Sequence, residues 1–305
     1  MKLYYFADPH GNFGDDLNPW LWKKLAPSLM NEDEMELFIG IGTLLNHRLP
    51  SAPIKHVFGS GVGYGNLPER NGRLIIHALR GYESARLLGE DKRKVITDAA
   101  ILVRAVDYPR APIKDKEYGF IPHTLSSQYY DWSGVCDDLG IHHVSAQWNV
   151  ERVFREMTRC KVMVCEAMHG AIIADALRIP WIPAVCYDYI SAFKWGDWLS
   201  TLDLPYQPSV ITSLYDPERN SLPVPRLKNK VKRGFARIGI APTNWTEPPP
   251  AKTGMKERAR ATLELKAALN RPPQLSKDSI IESHTNRYLD LLDQFSRTHP
   301  IIQKT

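Results

Sequence analysis

His169 stands between two stretches of different character. Val162-Met163-Val164-Cys165 precede it and Ala171–Leu177 follow it. The first predicts a buried strand, the second a short apolar helix ended by Pro180, and Trp181–Val185 the next strand. His169 and Gly170 then fall where a strand hands over to a helix. Free backbone N–H groups and the helix dipole favour anions at that edge, where ligands of open α/β sheets collect. An imidazole there can move protons to or from a bound anion. Its plainer alternative is to cap the helix or join a buried hydrogen bond.

Other residues share this strand-end placement. Arg80, in Ala78-Leu79-Arg80-Gly81-Tyr82, has the fork geometry to grip a carboxylate or phosphate, or to form a surface ion pair. His123 sits in Ile121-Pro122-His123-Thr124, and Lys194-Trp195 adds charge and a stacking surface after the strand that follows His169. Gly11-Asn12-Phe13-Gly14-Asp15-Asp16 opens the first helix. Its glycines permit a tight turn, but it has neither GxGxxG nor P-loop spacing. Asp15 and Asp16 would repel a phosphate; they suit sugar hydroxyls or the cap of the helix. Gly59-Ser60-Gly61-Val62-Gly63 either brings backbone N–H groups near a ligand or only makes the turn.

The elements that must hold these residues alternate. Strands are expected at Leu3–Ala7, Glu36–Ile41, Lys55–Gly59, Leu74–Leu79 and Ala100–Val103, with helices at Asp15–Leu25 and Tyr82–Leu88, the latter closed by Gly89. The segment 105–117 reads as a linker. A second series then places strands at Tyr118–Ile121 and Ile141–Ser145 and a helix at Val150–Met157. This βαβ rhythm predicts largely parallel sheets and a ligand cleft between two α/β units. Two helices close the chain, Lys256–Leu269 and Lys277–Arg297, with Ser276 as an N-cap and Ile281, Tyr288, Leu292 and Phe295 on one face.

Composition narrows the class. The 305 residues are 43% hydrophobic and 24% charged, with net charge +5. These values fit a globular protein with an anionic substrate or surface, and no nucleic-acid signature is present. The N-terminus reads as a strand rather than a signal peptide and no run is long enough to span a bilayer, so a cytoplasmic protein is expected. Cys136, Cys160, Cys165 and Cys186 are scattered, without zinc spacing, and are expected to be reduced and buried. The basic run Arg226, Lys228, Lys230, Lys232, Arg233 and Arg237 reads as a solvated loop, or as a dock for the inner face of a membrane.

Taken in order, Asn12-Phe13-Gly14-Asp15-Asp16, Gly59-Ser60-Gly61, Leu79-Arg80-Gly81 with Ser84, Asp98-Ala99-Ala100-Ile101-Leu102, Pro122-His123, Glu166-Ala167-Met168-His169-Gly170-Ala171 and Lys194-Trp195 resemble the polysaccharide pyruvyl transferase family. The likeness spans roughly residues 1–200. It implies an α/β fold of two Rossmann-like domains similar to GT-B glycosyltransferases. Residues 1–112 would form the acceptor side, 113–250 the donor side and 251–305 the C-terminal helices. The implied reaction moves a pyruvyl group from phosphoenolpyruvate to two hydroxyls of a sugar or lipid-linked oligosaccharide, giving a cyclic ketal without cofactor or metal. His169 and Arg80 would be catalytic. Arg80, Lys194, His123, Glu166, Met168 and Gly170 would hold the donor, and Asn12, Asp15, Asp16 and Gly61 the acceptor. Many relatives carry Arg-x-His where this chain has Ala167-Met168-His169, so Arg80, Lys194 or another cation such as Arg48 or Arg104 must neutralise the donor. A nucleotide-sugar glycosyltransferase and a non-catalytic carbohydrate-binding protein are the rival readings.

Overall fold

Two parallel sheets carry the chain. The structure, a computed structural model, describes residues 1–69, 72–187, 189–216, 231 and 251–299. The first sheet contains β1 (Lys2–Tyr4), β2 (Glu36–Ile39), β3 (Ile54–Phe58) and β4 (Arg73–Ala78), in that spatial order. α1 (Phe13–Leu25) joins β1 to β2, and α2 (Tyr82–Leu88) follows β4. Asn12 caps α1 by accepting from the Gly14 N–H, and Gly89 ends α2 in the left-handed conformation at φ 67°.

The second sheet is built from β5 (Lys116–Ile121), α3 (Thr124–Tyr129), α4 (Ser133–Leu139), β6 (His142–His143), α5 (Val150–Met157), β7 (Cys160–Cys165), α6 (Met168–Ala176), β8 (Trp181–Val185), α7 (Ala192–Leu199) and β9 (Ser209–Val210). Its order is β6-β5-β7-β8-β9, all parallel. The chain leaves β5 toward β6 on one side, while β7 pairs with β5 on the other. That reversal is a switch point, and the crevice outside the strand ends there is the favoured ligand position. His123 follows β5 and Glu166 follows β7, one on each side of it. A short antiparallel pair, β10 (Tyr215–Asp216) with β11 (Ala251–Lys252), leads into α8 (Met255–Ala268) and α9 (Asp278–Thr298).

The largest apolar cluster draws on both sheets: Phe38 and Phe58 from the first, Met163 and Cys165 from the second, with Tyr288 and Phe295 of α9. The stripe foreseen on the last helix is buried in full, and the Tyr288 hydroxyl donates to the Thr97 carbonyl at 2.5 Å. All four cysteines are free and buried; burial pushes Cys136 and Cys160 up to about 12 and the other two well above their ordinary value.

Several expectations are corrected. Ala100–Val103 is not a strand: Ala99–Ala105 forms a 3-10 helix, started by the Asp98 side chain accepting from the Ala100 N–H. It packs against α6, α9 and α1, and residues 99–103 are inaccessible to solvent. An apolar run buried on every side has no periodicity to separate strand from helix. Ser276 does not cap α9; Lys277 occupies that place, and the Ser276 side chain instead donates to buried Asp175 on α6. α6 begins at Met168, so His169 and Gly170 lie in its first turn rather than before it. The strand expected at Ile141–Ser145 shrinks to His142–His143, and the first strand stops at Tyr4. Apart from Val231, the basic run 226–237 lies outside the described residues.

Candidate active site

A cavity of about 390 Å³ opens where the strand ends of both sheets meet. The loops and helix starts that follow the first sheet's strands supply Asn12, Asp15, Thr43, Arg48 and Tyr64, and those of the second sheet supply His123, Glu166, Met168, His169 and Lys194. Seven sequence-chosen residues, Asn12, Asp15, His123, Glu166, Met168, His169 and Lys194, therefore share one hollow. Arg80, Asp16, Gly61 and Gly170 do not line it.

His169 is the second residue of α6, and its ring caps nothing. Its side chain is 13% exposed. Nε2 is sealed from solvent without a hydrogen-bond partner, 3.9 Å from Oδ2 of Asp98, which is equally sealed and unpartnered. The Nδ1 edge lies over Gly14 of α1, where any Cβ would overlap it. Burial, then the charges of Lys194 and Arg80, lower the His169 pKa to about 3, so the unliganded ring is neutral. Asp98 is raised to about 6, chiefly by burial.

His123 faces the same cavity from the end of β5. Its Nδ1 accepts from the Leu125 N–H at 3.3 Å and lies 3.1 Å from the Tyr189 hydroxyl. A backbone N–H can only donate, so neutral His123 carries its proton on Nε2. Burial and the Lys194 charge lower its pKa to about 3. Glu166 spans the switch point: its carboxylate accepts from the His123 N–H at 2.9 Å and the Cys186 N–H at 3.0 Å, tying the ends of β5 and β8 across β7. Gly170 lets α6 approach β5, since a Cβ would stand 2.7 Å from Ile121 Cγ2.

The cations divide by place. Lys194 lies over the Tyr64 ring at 4.2 Å and donates to its hydroxyl. Arg80 lies behind the wall, 0% exposed, with Nε and Nη2 each 3.0 Å from Asp197 Oδ2, Nη1 donating to Thr43 at 2.7 Å and Nη2 to the Val62 carbonyl at 2.6 Å. Gly61 makes room for it: a Cβ there would lie 2.5 Å from the guanidinium carbon. Arg80 thus acts on His169 through space and fixes Thr43 in the cavity wall. Of the two further candidates, Arg48 lines the cavity, whereas Arg104 is turned to the Ala176 carbonyl in a separate groove.

On the opposite wall Asn12 donates to Asp15 at 2.6 Å. Burial raises Asp15 to about 7 although Lys194 and Asn12 pull it down. Asp16, one position on, does not line the cavity. Among the described residues no group of three His, Cys, Asp or Glu side chains is disposed to hold a metal ion, and no helix is long and apolar enough to cross a membrane.

Sequence reasoning did not single out Asp98, Asp197 or Thr43 as site residues. Asp98 left a signal, one acid at the door of an unbroken apolar run. Asp197 and Thr43 left none, because their meeting with Arg80 spans 117 and 37 residues.

Two parallel sheets enclose a cavity lined by two imidazoles and an ammonium, and the family model for polysaccharide pyruvyl transferase matches residues 11–189. The chain belongs to that family. Succinoglycan biosynthesis protein ExoV of Rhizobium meliloti (strain 1021) is 33% identical over 321 residues, covering 98% of this chain and 100% of that relative. No solved structure gives a significant match.

Proposed function

We propose that this protein transfers the pyruvyl group of phosphoenolpyruvate to two hydroxyls of a sugar in an exopolysaccharide precursor, forming a cyclic ketal. The carrying observation is His169: a buried, neutral imidazole that opens on a cavity beside Lys194 and in the field of Arg80. Family membership and the succinoglycan relative support the same reading. The cavity exceeds a ten-heavy-atom donor and leaves space for a sugar ring.

The donor brings a carboxylate and a phosphate, three negative charges in all. Lys194, Arg80 and the His123 Nε2–H are the groups that favour it in a partly dry site. Its charge reverses the balance that keeps His169 neutral, so the donor enters with a proton on the ring. The imidazolium gives that proton to the donor's methylene carbon. The C2=C3 electron pair becomes the new C–H bond, leaving C2 electron-poor. A sugar hydroxyl oxygen adds to C2 and its proton returns to His169. The C2–O bond to phosphate then breaks, the second hydroxyl closes the ketal, and its proton leaves on the phosphate. Asp15, on the first sheet's wall, orients the acceptor hydroxyls.

The test combines the protein with phosphoenolpyruvate and a panel of terminal hexosides, free and lipid-linked, and follows phosphate release with NMR of the product. A methyl singlet of a pyruvate ketal with stoichiometric phosphate is expected. A second arm compares thermal stabilisation by phosphoenolpyruvate with that by uridine and guanosine diphosphates. Stabilisation by a diphosphate alone, with no phosphate released from phosphoenolpyruvate, would turn the reading to a glycosyltransferase.

A further inference from the structure

Asp98 has no place in the scheme above, yet its surroundings are specific. It is completely buried 71 positions before His169 in the chain, at the start of the 3-10 helix under α6. One carboxylate oxygen, Oδ1, accepts from the Ala100 N–H at 3.0 Å, which fixes the rotation of the group. The other, Oδ2, faces His169 Nε2 at 3.9 Å, and neither atom has another partner among the described residues. Two sealed polar atoms of complementary kind lie just beyond hydrogen-bond distance of each other, and catalytic hydrogen bonds that are long without substrate often tighten in the complex.

We propose that Asp98 is the positioning residue of the acid: it holds the His169 proton on Nε2, so that Nδ1 is the atom that exchanges protons with the donor. Resting on the pyruvyl-transfer reading, this divides the two ring nitrogens. Nε2 is closed off toward Asp98, and the Nδ1 edge lies over Gly14, between the cavity-lining residues Phe13 and Asp15. When the ring is cationic, both nitrogens carry hydrogen. Nδ1–H passes its proton to the methylene carbon and Nε2–H remains with the carboxylate. The neutral ring left behind has a bare Nδ1, ready for the first hydroxyl proton. An ionised Asp98 also steadies the cation during the step. The groups facing this pair are Arg80, Asp197 and Lys194, together with Tyr288 from α9 and His123 from the end of β5.

Asp98→Asn is the informative change. Its amide oxygen still accepts from the Ala100 N–H, so the 3-10 helix keeps its start. Its NH2 then points at Nε2, which must accept, and the neutral ring moves its proton to Nδ1. The expected results are a kcat lower by about 100-fold or more, a KM for phosphoenolpyruvate changed by less than about threefold, since Asp98 does not touch the donor, and partial recovery in Asp98→Glu. Nitrogen-15 NMR of imidazole-labelled protein reads the tautomer directly, without substrate. The proton is expected on Nε2 in the wild type and on Nδ1 in Asp98→Asn. A wild-type ring protonated on Nδ1 overturns the proposal even if the variant does not fold. So does an Asp98→Asn protein with unchanged tautomer and kcat. Absence of wild-type turnover of phosphoenolpyruvate, with the tautomer as expected, would instead reject the donor assignment and keep the pair.

Discussion

Two pairs of buried imidazoles differ in what faces them. His56 and His77 lie behind the first sheet, their nitrogens 3.0 Å apart, edged by Phe295 and His299 at the end of α9. His123 and His169 line the cavity. Burial lowers all four, to about 4 in the first group and about 3 in the second. A depressed histidine is therefore no mark of catalysis here. The cavity pair differs in having an opening, an ammonium within reach and an unpartnered carboxylate behind one ring. The other pair has aromatic rings on its faces and edges. The same physical shift accompanies packing in one place and, in the function proposed above, proton transfer in the other.

That contrast can be broken by experiment. His169→Ala should cost roughly two to four orders of magnitude in kcat while circular dichroism stays native; a variant with near-normal turnover would move His169 into the packing group. Arg80→Ala should act mainly on the fold. It leaves buried Asp197 without its cation, paired only with the Ser84 N–H and hydroxyl, and a loss of about 3–5 kcal/mol in urea unfolding is expected. A stable Arg80→Ala protein that has lost only donor affinity would instead make the guanidinium a direct ligand. Lys194→Met should raise the KM for phosphoenolpyruvate by about 10- to 100-fold, the worth of one charge-assisted contact, with little change in the melting temperature.

The smallest effect is set by pH at the packing pair. The folded values of His56 and His77 lie below the ordinary 6.5. The unfolded chain therefore binds more protons between about pH 4 and pH 6.5, and stability falls as pH drops through that window. His299, Arg73, Lys94 and the N-terminal amine face the pair and add to the repulsion. A loss of about 1–3 kcal/mol is expected, read as the urea midpoint between pH 7 and pH 4. His77→Phe should flatten that slope without touching kcat. An unchanged slope would show that the pair is already protonated or is hydrated.

Much of the frame was written locally. The strand–helix–strand unit around His169, the Gly89 stop and the buried stripe of the last helix follow from periodicity and turn chemistry, and each stands within a few residues of its expected place. What was not legible depends on pairs distant along the chain. Nothing beside Arg80 announces that Asp197 will neutralise it, so an arginine read as a donor clamp lies behind the cavity wall instead. Nothing beside His169 announces Asp98. The run Ala100–Val103 was misread because complete burial erases the alternation that separates strand from helix. Ser276 looked like a cap, but the tertiary pull of Asp175 outweighed its local preference.

The four thiols carry a last consequence. Each is inside the protein and held in its protonated, unreactive form. Cys136 packs with α8 on one flank of the second sheet, while Cys160 and Cys165 lie in the shared interior with α9. Alkylating reagents can reach them only during an opening event, so the order in which they become modified gives a chemical clock for which flank of the molecule comes apart first.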